Sequence, residues 1–317
     1  MKVAFICDYL NLRGMAVAPY DYAHYNETLL NNESFIFYDN NYPHIPTLKK
    51  FTDRFKNVIP YDCYIEVGPL LEHYKIDFVH RLSFGHDESY ILENKTCPWG
   101  IHTVFKYNCP YGDVYTYISE WLRNECNPNL DFVPHMINLP NENGTLHDEL
   151  GLNKHDIIIG CYGGSNSFDL KIAKRAIIQA AKLRNNIHFI FMNIDKFTID
   201  PRWRCTFLPG TYDLVRKTKF INTCDAMIHG RQRGETFGLA VGEFSSRNKR
   251  IITWNGAKER AHINILGNKG ILYNKVEDLT QILTNIQKDT QNNYDCFSKQ
   301  FSPEKVMEKF SKVFLGK

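Results

Sequence analysis

Two apolar runs constrain this chain more than any other feature. Lys2–Cys7 (KVAFIC) and Ile157–Tyr162 (IIIGCY) show no alternation of apolar and polar side chains. A strand with one wet face alternates; a strand that reads apolar throughout is covered on both faces, as in a parallel sheet with helices on either side. Each run opens the same series of strand, glycine-bearing loop and helix. After Cys7 come Gly14 and a helix over about 19–30, starting at a proline as helices allow, then a strand at 34–38. After Tyr162 come Gly163-Gly164-Ser165 and a helix over about 169–183, in which Ile172, Ala176, Ile177 and Ala180 recur at helical spacing. Two such series fit an α/β chain of two domains, or one large one. The first is expected over residues 1–138 and the second over 152–300. The turn-rich stretch 139–151, with Pro140, Asn141, Asn143 and Gly144, is expected to link them. Ser302-Pro303-Glu304 signals a last helix over 301–317.

Composition narrows the class. Charged residues are 23% and apolar residues 43% of the 317, so the chain fills cores rather than staying disordered. A net charge of +3 gives no reason to expect nucleic acid as a partner. No run of eighteen apolar residues is present to span a membrane. Lys2 leads into a strand, not a signal peptide. Nine scattered cysteines without a Cys-x-x-Cys pair point to reduced thiols and a cytoplasmic protein. The G-x-G-x-x-G of dinucleotide folds is missing, which argues against a nicotinamide cofactor.

The chemistry concentrates in 226–254, AMIHGRQRGETFGLAVGEFSSRNKRIITW. It reads as a strand, a basic glycine-bounded loop, a helix beginning near Phe237-Gly238 and a second strand rich in β-branched residues. Gly238 allows a ligand close to the backbone. The N–H groups of Gly238, Leu239 and Ala240 form an anion site at the helix start, with Arg231 and Arg233 just upstream. Glu235 stands before this nest and Glu243 eight residues on. A carboxylate, an amide nest and a second carboxylate suit a sugar, a diphosphate and a ribose.

This stretch resembles the Glu-x7-Glu signature of glycosyltransferases of the GT-B fold, particularly retaining family 4. The resemblance implies that Glu235 contacts the donor sugar, that the amides of Phe237-Gly238-Leu239 hold the diphosphate, and that Glu243 binds the ribose. It implies an α/β fold of two Rossmann-like domains facing across a cleft, with the terminal helix crossing back to the first. It also implies transfer with retention from a nucleotide-diphosphate sugar, the leaving phosphate taking the acceptor proton. No Asp-x-Asp occurs in the chain, as suits metal-independent chemistry, and no cofactor is expected. The family's Gly-Arg after the strand at 157–162 is replaced by Gly160-Cys161, and its lysine five residues on by Asn166. Arg231 and Arg233, or Lys171 reaching back, are the expected substitutes, with Gly163, Gly164 and Ser165 lining the donor side.

In the first domain, Pro98-Trp99-Gly100-Ile101-His102-Thr103 places His102 at a strand's C-terminal edge, where ligands of open α/β sheets bind. Family members have a catalytic histidine there that reaches the donor sugar; His80 reads as a strand-end histidine. Arg13 and Gly14 are acceptor-side candidates. The acceptor class is open between glycan, lipid-linked and protein, which leaves room for peripheral membrane contact. Two other functions fit the same fold: a sugar-nucleotide epimerase, or a degenerate GT-B protein that binds without catalysis.

Overall fold

The computed structural model describes residues 1–317 except 12, 13, 42, 94, 201 and 202. The chain divides into two compact units. Unit 1 comprises Met1–Met136 together with Phe301–Lys317, and unit 2 comprises Ile137–Gln300.

Unit 1 runs β1 (Lys2–Cys7), α1 (Gly14–Thr28), β2 (Glu33–Asp39), α2 (Ile45–Arg54), β3 (Asn57–Tyr61), α3 (Val67–Tyr74), β4 (Phe78–Ser83), β5 (Trp99–Thr103), β6 (Val114–Tyr117), α4 (Glu120–Cys126) and β7 (Asp131–Phe132). Among the described residues its sheet has the order β3-β2-β1-β4-β5-β6-β7, and its strand pairs are parallel. Helix α1 starts five residues before Pro19, which lies inside it rather than at its head. Ala16, Pro19, Tyr22, Ala23 and Asn26 are buried at helical spacing, so the packed face continues upstream of the proline and outweighs its missing N–H.

Unit 2 runs β8 (Ile157–Tyr162), α5 (Lys171–Leu183), β9 (Ile187–Met192), β10 (Cys205–Leu208), α6 (Leu214–Thr223), β11 (Ala226–His229), β12 (Gly234–Glu235), α7 (Leu239–Ser246), β13 (Arg250–Trp254), β14 (Glu259–Arg260), α8 (Ala261–Leu266), β15 (Ile271–Tyr273) and α9 (Val276–Asn285). Its main sheet has the order β10-β9-β8-β11-β13-β15, and β12 pairs with β14 beside it. Ile159, Phe189, Ile228 and Ile252 from four strands meet Ala173, Ile177, Leu279 and Leu283 from α5 and α9 in one apolar core. The segment 139–151 is not a free spacer. Leu146 N–H donates to Thr223 Oγ1 at 2.8 Å, and Asn222 Nδ2 donates to the carbonyls of Glu142 and Gly144 at 2.8 and 3.0 Å. Its backbone groups find partners on α6, which is why it belongs to unit 2.

The chain then returns to unit 1 as α10 (Pro303–Phe314). Val306, Met307, Phe310 and Phe314 form its buried face, and the Phe310 ring stacks against Tyr22 (5.4 Å) and Phe5 (6.4 Å).

Candidate nucleotide-sugar site in unit 2

In unit 2 the chain leaves β8 toward β9 and leaves β11 toward β13, on the opposite side. The loops after these two neighbouring strands therefore diverge and leave a crevice at the strands' carboxyl ends, the usual ligand position in such sheets. The first loop is pinned by a turn, Ser167 N–H to Gly164 O at 2.8 Å, and by Asn193 Nδ2 donating to Gly163 O at 2.7 Å. Ser165 is exposed. The second loop is tied to the first. Leu170 N–H donates to Gly230 O at 3.0 Å, and Gln232 N–H donates to Asp169 Oδ1 at 2.7 Å.

Glycine is required at two points of the second loop. Gly234 has φ +85°, and a Cβ there would lie 2.0 Å from the carbonyl oxygen of Glu259. Only a bare backbone allows β12 to pair with β14, which sets Gly234 opposite Glu259 and Glu235 opposite Arg260. Gly238 has φ 98° and ψ 64° and caps α7. The first intrahelical bond runs from Gly242 N–H to Gly238 O, so the N–H groups of Leu239, Ala240 and Val241 lack intrahelical acceptors. Phe237 contributes packing instead: its ring is buried against Phe297, 5.9 Å away.

Glu235 is built in from several sides. Its Oε1 meets His229 Nε2 at 3.3 Å, and its Oε2 accepts from Arg231 Nη1 at 2.8 Å; its side chain stays 22% exposed. Burial alone would raise its pKa. The His229 hydrogen bond and the Arg231 charge outweigh that and bring it down to about 2. At neutral pH this carboxylate accepts hydrogen bonds and has no proton to give. An ionised carboxylate only accepts, so His229 Nε2 carries the proton in this contact. Thr253 Oγ1 lies between the two rings, 2.9 Å from His229 Nδ1 and 3.1 Å from His262 Nε2. Burial, with His229 alongside, pulls the pKa of His262 down to about 3.

Glu243 lies buried in α7, and its Oε1 accepts from Lys217 Nζ of α6, a side chain only 5% exposed. Its Oε2 is buried and has no hydrogen-bond partner among the described residues. Arg233 is bound through Nε to Glu259 Oε1 at 2.7 Å, and burial raises the pKa of Glu259. Lys217 and Glu259 were not expected at this site. Nothing local marks them, because their partners lie 26 residues away in sequence.

Other expectations meet different surroundings. Lys171 opens α5 and is exposed; Gly14 opens α1 and is exposed; Arg13 lies outside the described residues. His102 does not reach a ligand surface. It is 0% exposed inside unit 1, its Nε2 donates to Val133 O at 2.7 Å, and its Nδ1 accepts from His80 Nε2 at 3.2 Å. Every residue of β5 is buried, so the strand's end is covered and His102 is a packing residue. Its neighbours are His80, His135, Tyr22 and Phe314. Burial pulls its pKa down to about 4 and that of His135 to about 3, and it holds that of His80 well below the ordinary value.

No protein-family model matches the sequence, and no curated protein matches it. Solved structures do. HepE of Anabaena, in complex with UDP and glucose, aligns over 100% of both chains at 12% identity with a TM-score of 0.76. A glycosyltransferase from Rickettsia africae aligns over 99% of this chain and 98% of its own, at 13% identity and TM-score 0.70. WaaG, a glycosyltransferase involved in lipopolysaccharide biosynthesis, aligns over 99% of this chain and 100% of its own, at 13% identity and TM-score 0.65. The chain has the GT-B fold, with parallel sheets in two Rossmann-like domains. None of its described helices is long and apolar enough to cross a membrane.

Proposed function

We propose that this chain is a glycosyltransferase whose unit 2 holds a nucleoside-diphosphate sugar, a UDP-sugar as in the HepE complexes. The observation that carries the reading is a single arrangement at the switch point of unit 2. An ionised Glu235, the open amides at the head of α7 and a Glu243 with an unpaired buried oxygen stand together there. Glu235 accepts hydrogen bonds from the donor sugar. The amides of Gly238, Leu239 and Ala240 take the diphosphate, with Gly163, Gly164 and Ser165 across from them. Glu243 Oε2 accepts from the ribose, while Lys217 orients the carboxylate through Oε1. The bond from the anomeric carbon to the phosphate oxygen breaks and one to the acceptor oxygen forms on the same face. The acceptor's proton passes to the leaving phosphate, and no divalent metal takes part.

Titration calorimetry with UDP tests this directly. The protein is expected to bind UDP, and Glu243→Gln to weaken binding ~10- to 150-fold, the equivalent of a hydrogen bond to a charged group. Equal affinity in the two proteins would remove Glu243 from the site. Absence of binding to UDP, GDP and ADP alike would leave a degenerate GT-B protein. Conversion of the donor to an isomer without release of UDP would make the chain an epimerase.

Arg231 and Arg233 replace the basic pair that the loop after β8 lacks. Both are also anchored to carboxylates, and Arg233 keeps half its side chain exposed. The double variant Arg231→Ala/Arg233→Ala is expected to lose most of the preference for UDP over UMP, measured as a ratio of dissociation constants. A wild-type ratio would show that the second phosphate is held elsewhere.

A further inference from the structure

Behind Glu235 stands a line of buried polar groups that the proposed donor contacts do not use. His229 ends β11 and Thr253 lies opposite it in the neighbouring β13, so the two side chains share one face of the sheet. Thr253 Oγ1 is 2.9 Å from His229 Nδ1 and 3.1 Å from His262 Nε2, and His229 Nε2 is 3.3 Å from Glu235 Oε1. His262 sits in the first turn of α8, just after Arg260, which pairs with Glu235 across β14 and β12. The line from His262 through Thr253 and His229 thus starts and ends beside the same residue. His262 and Thr253 are 0% exposed and His229 is 5% exposed. His262 also packs under the head of α7: a Cβ at Gly238 would lie 3.1 Å from His262 Cβ and 3.4 Å from Glu235 Cβ.

Packing alone does not call for such a line. A buried hydroxyl or imidazole costs free energy unless it is hydrogen-bonded, and apolar side chains of the same size would fill the space. Burial and the neighbouring His229 keep His262 uncharged at neutral pH, against the opposing pull of Glu235, and its Nδ1 closes no hydrogen bond among the described residues. Thr253 is therefore the side chain that fixes this ring. A hydroxyl has one proton and two lone pairs, so it accepts from one ring while donating to the other. One proton cannot serve two bare nitrogens, so at least one ring turns an N–H toward Thr253, and the tautomers of the two rings are coupled. On its other oxygen Glu235 is held by Arg231, whose side chain is 30% exposed. The inner support is the firmer one, because both ring nitrogens of His229 are engaged.

We infer that Thr253 and His262 are positioning residues: the hydroxyl, anchored by His262, fixes the His229 ring, and the ring fixes the Glu235 carboxylate in the direction that receives the donor sugar. Neither residue touches the ligand. That the carboxylate receives a sugar rests on the transferase reading above; that the line holds its orientation does not.

Two variants separate the hydroxyl from the shape that carries it. Thr253→Val removes the hydroxyl and keeps the branched side chain; Thr253→Ser keeps the hydroxyl. Imidazole nitrogen resonances of the full chain, labelled at histidine and assigned with His229→Gln and His262→Gln, read the line without any ligand. Thr253→Val is expected to move the signals of both rings, and Thr253→Ser to return them. Calorimetry gives the second readout, with UDP-glucose, the nucleotide sugar of one HepE complex, as the probe. Its affinity is expected to fall about tenfold in Thr253→Val, as loss of one hydrogen bond implies, while the affinity for UDP stays within about twofold; Thr253→Ser should recover the loss. The inference is overturned if the His229 signals are unchanged in Thr253→Val, if UDP and UDP-glucose lose affinity alike, or if Thr253→Ser fails to restore what Thr253→Val loses. A wild-type protein that binds neither UDP nor UDP-glucose is a failure of the donor reading, and the imidazole signals still decide whether Thr253 holds His229.

Discussion

Acidifying the protein from neutral pH to about pH 5 is expected to remove about 4 kcal/mol of stability through His102 and His135 of unit 1, with His80 acting in the same direction, against a typical total of ~5–15 kcal/mol. His80, His102 and His135 are 1%, 0% and 5% exposed beneath α1 and α10, with Tyr22, Phe5, Phe310 and Phe314 against their rings. Burial, and in His80 and His135 the neighbouring histidine, disfavours the charged form, so the folded pKa falls below the ordinary 6.5 to about 4 for His102 and about 3 for His135. The unfolded chain takes up protons first as pH falls. The stabilisation is therefore complete above 6.5 and is lost progressively down to the folded values, at about 2 kcal/mol per ring by pH 5. Urea midpoints followed through Trp99, buried in β5, measure the loss. His135→Leu removes one titrating ring and should reduce the pH slope, by at most about half. A slope unchanged between pH 7 and pH 5 would show that these rings protonate without cost in the folded state.

The second large effect is expected from Lys217. Replacing it by methionine keeps the length of the side chain and leaves Glu243 buried without its cation. Breaking a buried pair in this way costs about 3–5 kcal/mol. For a unit of this size that corresponds to a fall of roughly 10 °C in melting temperature. Replacing both partners, Lys217→Met with Glu243→Leu, removes the uncompensated charge and should restore most of that loss. UDP binding should not return with stability, because the oxygen proposed for the ribose is gone. Recovery of both in the double variant would reduce the pair to a packing device. A single Lys217→Met variant with wild-type melting temperature would show that the buried pair contributes little to stability.

The frame of the fold was legible in the sequence where strands are buried on both faces. KVAFIC, IIIGCY, AMIH and RIITW have no polar face to confuse the reading, and each is a strand of a parallel sheet. The same property hid the side chains that matter most. When both faces are covered, alternation does not reveal which residues point where, so His102 in β5 and Thr253 in β13 carry no mark of their surroundings. Lys217 illustrates a second limit. A lysine in an amphipathic helix reads as a solvent residue, and only the fold brings Glu243 to it across α6 and α7. The strands β12 and β14 are two residues each, too short for any periodicity, yet their pairing sets the backbone beside Glu235. Gly234 was visible as a loop boundary; that it allows the approach of Glu259 was not.

The return of 301–317 to unit 1 bears on the order in which the protein is made. A ribosome delivers the whole of unit 2, which is one continuous segment, before it delivers the helix that covers Tyr22, His80 and His102. Domains emerging from synthesis usually fold in sequence order. Here the unit begun first is completed last, and its aromatic and histidine-lined surface waits uncovered while more than 160 further residues emerge. During that interval the nascent chain carries an open apolar face, which makes the stretch of translation between Met136 and Phe301 the period when it most needs protection from aggregation.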